Sequence, residues 1–263
     1  MMMESWIHGS FFDAWLHVGA IVAGVSLLST ALGLVLERGF GPGRKIWDIA
    51  IPDVQTPREK RAYAGFVVLL TTLATFALRA DLVDFGPSGA TAIAATFAVY
   101  WVLFEVYYYG LHRALHTRPL YRFHAYHHAS HVTTPWSGQS LGVIEALGWI
   151  FGLLFPPVLM SFFMQVSPAG VLVYFVANTF VNLVGHANVE LSPFPQRAAT
   201  WLTHPWIYHA LHHARFRHHY SFASSFMDRL CGTEWSDWPA LHARIVSGRP
   251  LSRLTERADE SLT

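Results

Sequence analysis

Histidines are concentrated in a few short stretches of this sequence, in patterns that suit metal binding. The segment from His112 to His131 reads HRALHTRPLYRFHAYHHASH and contains six histidines in twenty residues. It holds an HxxxH pair, and the motif HxxHH occurs in it and again downstream, as His112/His116, His124/His127/His128 and His209/His212/His213. Neutral imidazole is the commonest metal ligand among side chains. The clustering therefore predicts a metal centre built from histidines.

The spacing within each motif indicates helices that present imidazoles together. Residues four apart on a helix lie on one face, which applies to His112 and His116. Positions one, four and five of HxxHH also share a face, so we expect its three imidazoles to converge. A solvated basic helix face is the plain alternative for one HxxHH, but two copies beside an HxxxH favour a ligand set.

His186 stands alone at the end of an apolar stretch, with polar residues leading to it. Asn178 and Asn182 precede it by eight and four residues, and Glu190 follows it by four. Polar groups in membrane segments tend to face the protein interior and to be functional, although interhelical hydrogen bonding would also explain the asparagines. Glu105 lies seven residues before His112 and could orient a ligand imidazole, or form an ion pair elsewhere.

The candidate ligands outnumber those of one metal site. They are His112, His116, His124, His127, His128, His186, His209, His212 and His213. A structural zinc site uses four ligands, so nine histidines suit two metals with four or five ligands each. Imidazole accepts zinc, copper, iron or nickel, and the spacing alone does not name the metal.

The composition indicates that membrane helices must position these histidines. Hydrophobic residues make up 52% of the 263 residues and charged residues only 13%, against roughly 25% charged in soluble domains. The net charge of +1 gives no reason to expect nucleic-acid binding. A single cysteine, Cys231, excludes an internal disulfide and a thiolate zinc cluster.

Five apolar runs are long enough to be membrane-span candidates. They are residues 14–36, 62–78, 90–109, 142–164 and 168–185. The basic loop 37–61 is predicted to be cytoplasmic by the positive-inside rule, and five passes then bring every histidine motif to that side. We therefore expect an all-α polytopic bundle of four to five spans with a cytoplasmic histidine-rich helical cap, in the bacterial inner membrane.

The whole chain, 1–263, is predicted to be one integral membrane domain. Residues 1–100 supply N-terminal spans, residues 101–240 form the histidine-motif catalytic region with the 142–185 hairpin inside it, and residues 241–263 form a polar tail. His8 and His242 lie outside the motifs and are expected at the surface.

The order HxxxH, HxxHH, lone histidine, HxxHH resembles the fatty acid hydroxylase / sterol desaturase superfamily of integral membrane di-iron enzymes. The resemblance covers about residues 105–235 and includes YGLHR at 109–113 and FMDRLCGT at 226–233. Two features depart from the family pattern. Asn188 and Glu190 stand where a second histidine is often found, and His218 and His219 precede Tyr220 where asparagine is common. The roles of His131 and His204 are equally open.

The resemblance implies that the chain uses O2 to oxidise an unactivated C–H bond of a membrane lipid at two iron ions, with zinc possible in isolated protein. Electrons would come from an external donor protein, because the sequence contains no haem, flavin or iron–sulfur motif. Hydroxylation of a fatty acyl chain, sterol or related lipid is the favoured reaction, and desaturation is the alternative. A haem-binding carrier or another non-enzymatic metal-binding membrane protein is the competing class. The sequence predicts neither the substrate nor the oligomeric state.

Overall fold

The computed structural model describes residues 9–191 and 201–258, and in these ranges the chain is mostly helical. Its elements in chain order are α1 (Phe11–Glu37), β1 (Arg44–Lys45), α2 (Gln55–Arg79), α3 (Ala90–Leu115), α4 (Tyr121–His128), a short 3-10 helix (Ser137–Gln139), α5 (Val143–Met160), α6 (Pro168–Gly185), β2 (Val189–Glu190), α7 (Trp206–Arg215), α8 (Phe226–Leu230) and α9 (Trp238–Val246). The predicted all-α helical bundle is confirmed.

Five helices, α1, α2, α3, α5 and α6, are long and apolar enough to cross a membrane. Helix α1 packs against α2 and α6, and α3 packs against α5 and α6. Large apolar side chains on their outer faces point away from the protein; Leu28 is 74% exposed and Ile144 is 58% exposed. Apolar surface on this scale suits contact with lipid rather than water.

Two helices extend beyond the apolar runs that predict them. Helix α2 begins at Gln55 rather than at residue 62, because its first turns are polar but hydrogen-bonded: Gln55 donates to the buried Glu59. Helix α3 continues beyond residue 109 through His112 and ends at Leu115, with His116 as its C-cap. Hydropathy detects only the part of a helix that matches the bilayer core.

The connections between the long helices collect at two opposite ends of the bundle. At one end, the 80–89 and 161–167 connections meet, with the Gly86 N–H donating to the Val166 carbonyl. At the other end, β1 and β2 pair antiparallel with Arg44 opposite Glu190. All the histidine motifs lie at this second end. The α5–α6 hairpin leaves this end after the first motifs and brings the chain back to it before the last motif.

The C-terminal region differs from the expected polar tail in the part that the structure describes, residues 241–258. Leu251 is fully buried and forms a β-bridge with Trp47, and α9 contributes Trp238 to the same apolar cluster. His242 is also fully buried rather than at the surface. Apolar side chains spaced along a mostly polar sequence therefore close this end of the bundle.

Two further predictions concern residues that the structure does not describe. The surface position expected for His8 and the last part of the predicted tail, 259–263, lie outside the described residues.

Candidate metal centre

The structure brings all nine candidate histidines together as two adjacent groups. The first histidine group consists of His112, His116, His124, His128 and His212, and the second consists of His127, His186, His209 and His213. In each group, one ring nitrogen per residue lies within 4.8 Å of the corresponding nitrogens of the others. The rings are buried except at His116, which is partly exposed. Five and four nitrogens at this spacing could each surround one metal ion.

Each HxxHH motif divides between the two groups, which corrects the expectation that its three imidazoles converge. On α4, His124 and His128 join the first group while His127 joins the second. On α7, His209 and His213 join the second group while His212 joins the first. With 3.6 residues per turn, positions four apart differ by about 40° around the axis, whereas adjacent positions differ by about 100°. The two helices thus each contribute to both groups.

Hydrogen bonds to carbonyl oxygens fix the tautomers of several of these imidazoles. Nδ1 of His186 donates to the Asn182 carbonyl at 2.6 Å, and Nδ1 of His213 donates to the Ser130 carbonyl at 3.0 Å. A carbonyl oxygen can only accept, so Nε2 of each ring carries a lone pair instead of a hydrogen. Both Nε2 atoms lie close to Nε2 of His209, at 3.0 and 3.1 Å.

The second group therefore fits a cation. His209 Nε2 carries at most one hydrogen, which cannot make a full hydrogen bond to both neighbours, so the lone pair of His186 Nε2 or of His213 Nε2 lacks a donor there. A positive ion among these nitrogens would satisfy such a lone pair. In the first group, Nε2 of His116 and Nε2 of His124 are buried without a hydrogen-bond partner. Unpartnered buried nitrogens are costly unless a ligand or metal satisfies them.

Burial keeps these imidazoles uncharged at neutral pH. Loss of hydration lowers the pKa of His116 to about 4, and the same cause lowers the pKa of His186 to about 4. The pKa of His127 falls to about 3, first through burial and then through the neighbouring His186. Since only the neutral ring offers a lone pair to a metal, the centre is ready to bind cations at physiological pH.

Two buried glutamates support the histidines from outside the groups. Glu145, at the start of α5, accepts a 2.6 Å hydrogen bond from His124 Nδ1 and also one from Trp149 Nε1. Glu59 on α2 accepts from the hydroxyl of Ser130, whose carbonyl accepts from His213. Partners of this kind orient a ligand ring and raise the basicity of its other nitrogen.

The loop after α7 supplies two further acceptors. The carbonyls of His218 and Tyr220 accept from Nδ1 of His212 and His112, at 2.7 and 2.9 Å. The Asp228 carboxylate accepts from the backbone N–H of Tyr220 and holds this loop from one side. Glu105 holds it from the other, because its carboxyl group accepts from the Ala223 N–H and the Ser224 hydroxyl.

Glu105 therefore matches neither of its two expected roles. It is hydrogen-bonded to the loop rather than to a ligand imidazole or a basic side chain. Through that loop it supports the Tyr220 carbonyl that orients His112.

Asn188 and Glu190, the two residues at the departure from the family pattern, have structural contacts outside both groups. The Asn188 side chain accepts from the Trp47 N–H and donates to the Trp47 carbonyl. Glu190 accepts from the backbone N–H of Ile207 at 2.9 Å, at the first turn of α7. A carboxylate there is favourable for the helix dipole, so Glu190 stabilises the helix that carries His209.

The four other open histidines also lie outside both groups. His131 is exposed and contacts Phe216. His204 and His219 stack on the two faces of Tyr208, and His219 uses both nitrogens, with Tyr208 O and Trp235 N–H as partners. The ring of His218 packs on the ring of Trp235, and the backbone of His218 is left-handed, with a φ of 64°.

A small cavity of about 40 Å³ reaches the second group from within the bundle. Its polar lining includes Asn178, Asn182, His127 and His186, and the remainder is largely aromatic and aliphatic. Asn182 also donates to the Gly138 carbonyl at 2.8 Å. The polar stripe expected on α6 is thus present and lies at this cavity.

Sequence reasoning missed Glu145, Glu59 and Asp228. The first two had a usable signal, because an acidic residue inside or beside an apolar span is costly and is by default a candidate for function. Asp228 gave no comparable signal, since it lies in a polar segment.

Comparison with known proteins is consistent with this geometry. The sequence model described as "Fatty acid hydroxylase" matches residues 97–233, just over half of the chain, and this range contains all nine histidines. The chain belongs to the fatty acid hydroxylase family. With its five candidate spans, this member has the features of an integral, multi-pass membrane protein.

Curated relatives of this fatty acid hydroxylase family member come from plants. Very-long-chain aldehyde decarbonylase GL1-6 of Oryza sativa subsp. indica is 36% identical over 156 residues, which is 55% of this chain and 24% of the relative. Very-long-chain aldehyde decarbonylase CER1 of Arabidopsis thaliana is 36% identical over 140 residues, 49% of this chain and 21% of the relative. The chain thus spans about a quarter of their length. No solved structure matches. Plant relatives give no support to the expected bacterial membrane.

Proposed function

We propose that this chain is a membrane-bound oxidoreductase that uses O2 and electrons from an external donor protein to hydroxylate a C–H bond of a lipid. One observation carries the proposal: nine histidines form two adjacent groups, in each of which one ring nitrogen per residue lies within 4.8 Å of the others, and the second group contains a buried lone pair that lacks a donor. Two metal ions, one in each group, would satisfy these nitrogens. Iron is the metal we propose, because iron bound by these imidazoles would supply the redox chemistry for activating O2.

The protein's own residues have separate tasks in this proposal. All nine histidines would hold the metals, while Glu145 and the carbonyls of Ser130, His218 and Tyr220 keep the rings oriented. The cavity at Asn182 would admit one part of the lipid beside the second group. Its small volume, and the aromatic and aliphatic part of its lining, would keep bulk water away from the reacting carbon.

The histidine end of the bundle would face the cytoplasm. The basic loop 37–61 lies at this end, which agrees with the positive-inside rule. A cytoplasmic position would let a soluble or membrane-bound donor reach the metals, and the lipid would arrive laterally from the bilayer. Hydroxylation would consume one O2, two electrons and two protons, and release one water.

Two other outcomes use the same centre. Desaturation would remove a second hydrogen from the lipid instead of adding oxygen. A second candidate substrate is a very-long-chain aldehyde. The plant relatives are named very-long-chain aldehyde decarbonylases, and they are 36% identical to this chain in aligned segments of up to 156 residues. A haem protein is disfavoured, since rings such as His112 and His212, with centroids 4.3 Å apart, leave no room for a porphyrin between them.

Lipid analysis of a host expressing the chain, beside a host expressing His212→Ala, tests the function. A hydroxylated lipid made only by the unsubstituted chain is expected. A new double bond would assign desaturation, and a hydrocarbon one carbon shorter than its aldehyde would assign the reaction named in the relatives. Identical lipids in the two hosts, from protein that carries two metals, would refute lipid oxidation. A haem absorption band in purified protein would refute the metal assignment.

A further inference from the structure

A second and much larger cavity lies inside the bundle, on the side of the small cavity that faces away from the histidines. Its volume is about 470 Å³, within the range of small-molecule sites. It lies between α1, α2, α5 and α6, and its walls are almost entirely aliphatic or aromatic. Polar residues, Asp81 and Ser88, occur at its far end, on the 80–89 connection.

The large cavity adjoins the small cavity beside the second histidine group. Leu70, Leu153 and Phe175 line both cavities and form the partition between them. These residues come from α2, α5 and α6, so the same three helices line the whole path. A molecule that occupies both cavities must pass these three side chains.

The lining of α6 changes character along this path. Along α6 and its C-cap, the cavity-lining residues include Pro168, Val171, Leu172 and Phe175 at the far end, and then Asn178, Thr179, Asn182 and His186 toward the histidine groups. The change from apolar to polar occurs within a single turn. At 1.5 Å per residue, the helix from position 168 to position 186 covers about 27 Å, close to the thickness of a bilayer core.

We propose that the large cavity binds the alkyl tail of the lipid substrate, while the asparagines hold the polar end and the carbon to be oxidised lies next to it. This inference rests on the proposed function. It follows from the polarity of the path: a long apolar tail matches the aliphatic cavity, and only a polar group matches Asn178 and Asn182. The substrate class is then a single-chain lipid oxidised near its polar end. A rigid sterol matches this path less well than a flexible chain, because Leu70, Leu153 and Phe175 stand between the two cavities.

Photolabelling tests this arrangement without requiring turnover. One probe is hexadecanol with a diazirine at the terminal carbon, and the other carries the diazirine next to the hydroxyl-bearing carbon. In purified protein, the terminal probe is expected to label the large cavity, at residues such as Leu78 or Val158. The second probe is expected to label the small cavity, at residues such as Phe66 or Thr179. Identical labelling by the two probes, or labelling restricted to outward-facing residues such as Val68, would overturn the inference.

A pair of substitutions on α2 provides the matched control. Ala74→Phe adds a ring inside the large cavity, whereas Val68→Phe adds one at a position that is 54% exposed and lines none of the cavities described. Ala74→Phe is expected to reduce labelling by the terminal probe about tenfold, the loss for about two methylenes removed from apolar surroundings. Val68→Phe is expected to label as the unsubstituted protein does. Equal labelling of both variants would contradict the tail site.

The His212→Ala variant separates this inference from the proposed function. It lacks one histidine of the first group but keeps both cavities, so its labelling pattern is expected to be unchanged while its metal content falls. If the probes label as expected and no lipid is oxidised, the proposed function fails and the tail site stands. If lipid is oxidised but the large cavity is never labelled, the tail site fails alone.

Discussion

Replacing Glu145 by glutamine should weaken one metal and spare the other. Its carboxyl group accepts the hydrogen of His124 Nδ1 at 2.6 Å, which directs Nε2 toward the first histidine group. When a cation binds Nε2, the imidazole becomes partly positive, and an ionised carboxylate then forms a charge-assisted bond. Such bonds contribute about 1.5–3 kcal/mol, against about 0.5–1.5 kcal/mol for neutral ones. A loss of about 1.4 kcal/mol lowers metal affinity about tenfold.

The assay is metal content per chain after equilibration with increasing concentrations of a chelator. Glu145→Gln is expected to release one metal at about tenfold lower chelator concentration and to retain the second as the unsubstituted protein does. Glu256→Gln is the matched control, because Glu256 is a buried carboxylate paired with Arg244, away from the histidines. Simultaneous loss of both metals, or a release curve like that of Glu256→Gln, would refute the assignment of His124 to a separate first site.

Three further substitutions test other parts of the centre. His212→Ala should lower bound metal and abolish lipid oxidation, whereas the exposed His131→Ala should do neither; metal analysis of His131→Ala showing a loss would add His131 to the ligands. Asn182→Leu should change turnover or product distribution with metal content unchanged, because the backbone carbonyl that accepts from His186 remains; unchanged kinetics would remove the role in substrate contact. Glu190→Ala should destabilise α7 by about 1 kcal/mol, because the Ile207 N–H loses its acceptor. The melting temperature should fall by about 2–4 °C, and Glu190→Gln should recover part of that loss; an unchanged melting temperature would contradict the stabilising role of Glu190 at the start of α7.

The histidine set could be selected from sequence because its pattern is local. HxxxH and HxxHH report helical spacing and select eight of the nine residues that the structure assembles; the ninth, His186, was selected by its place at the end of an apolar stretch. Their role as ligands stays a prediction. The expectation that the three imidazoles of each HxxHH motif converge is wrong. Adjacent positions such as His127 and His128 differ by about 100° around α4, so they reach different groups.

The partners of the histidines depend on long-range contacts that no local pattern encodes. His112 is oriented by the carbonyl of Tyr220, 108 positions away, and every residue has a carbonyl. Leu251 is the same kind of case, since an isolated apolar residue in a polar segment gives no periodicity to detect. The membrane spans were predictable because apolar length reports bilayer thickness directly, but polar helix turns such as the start of α2 escape that measure.

The division of each histidine motif between two groups also affects how the centre forms during synthesis. When the ribosome has made the chain as far as α4, four of the five histidines of the first group exist, but only His127 of the second. The second group gains His186 after the hairpin and is complete only when α7 has emerged. Because a chain emerges from its N-terminus, the two sites mature at different times, and a nascent chain that stalls before α7 would carry one nearly complete site and one half-built site.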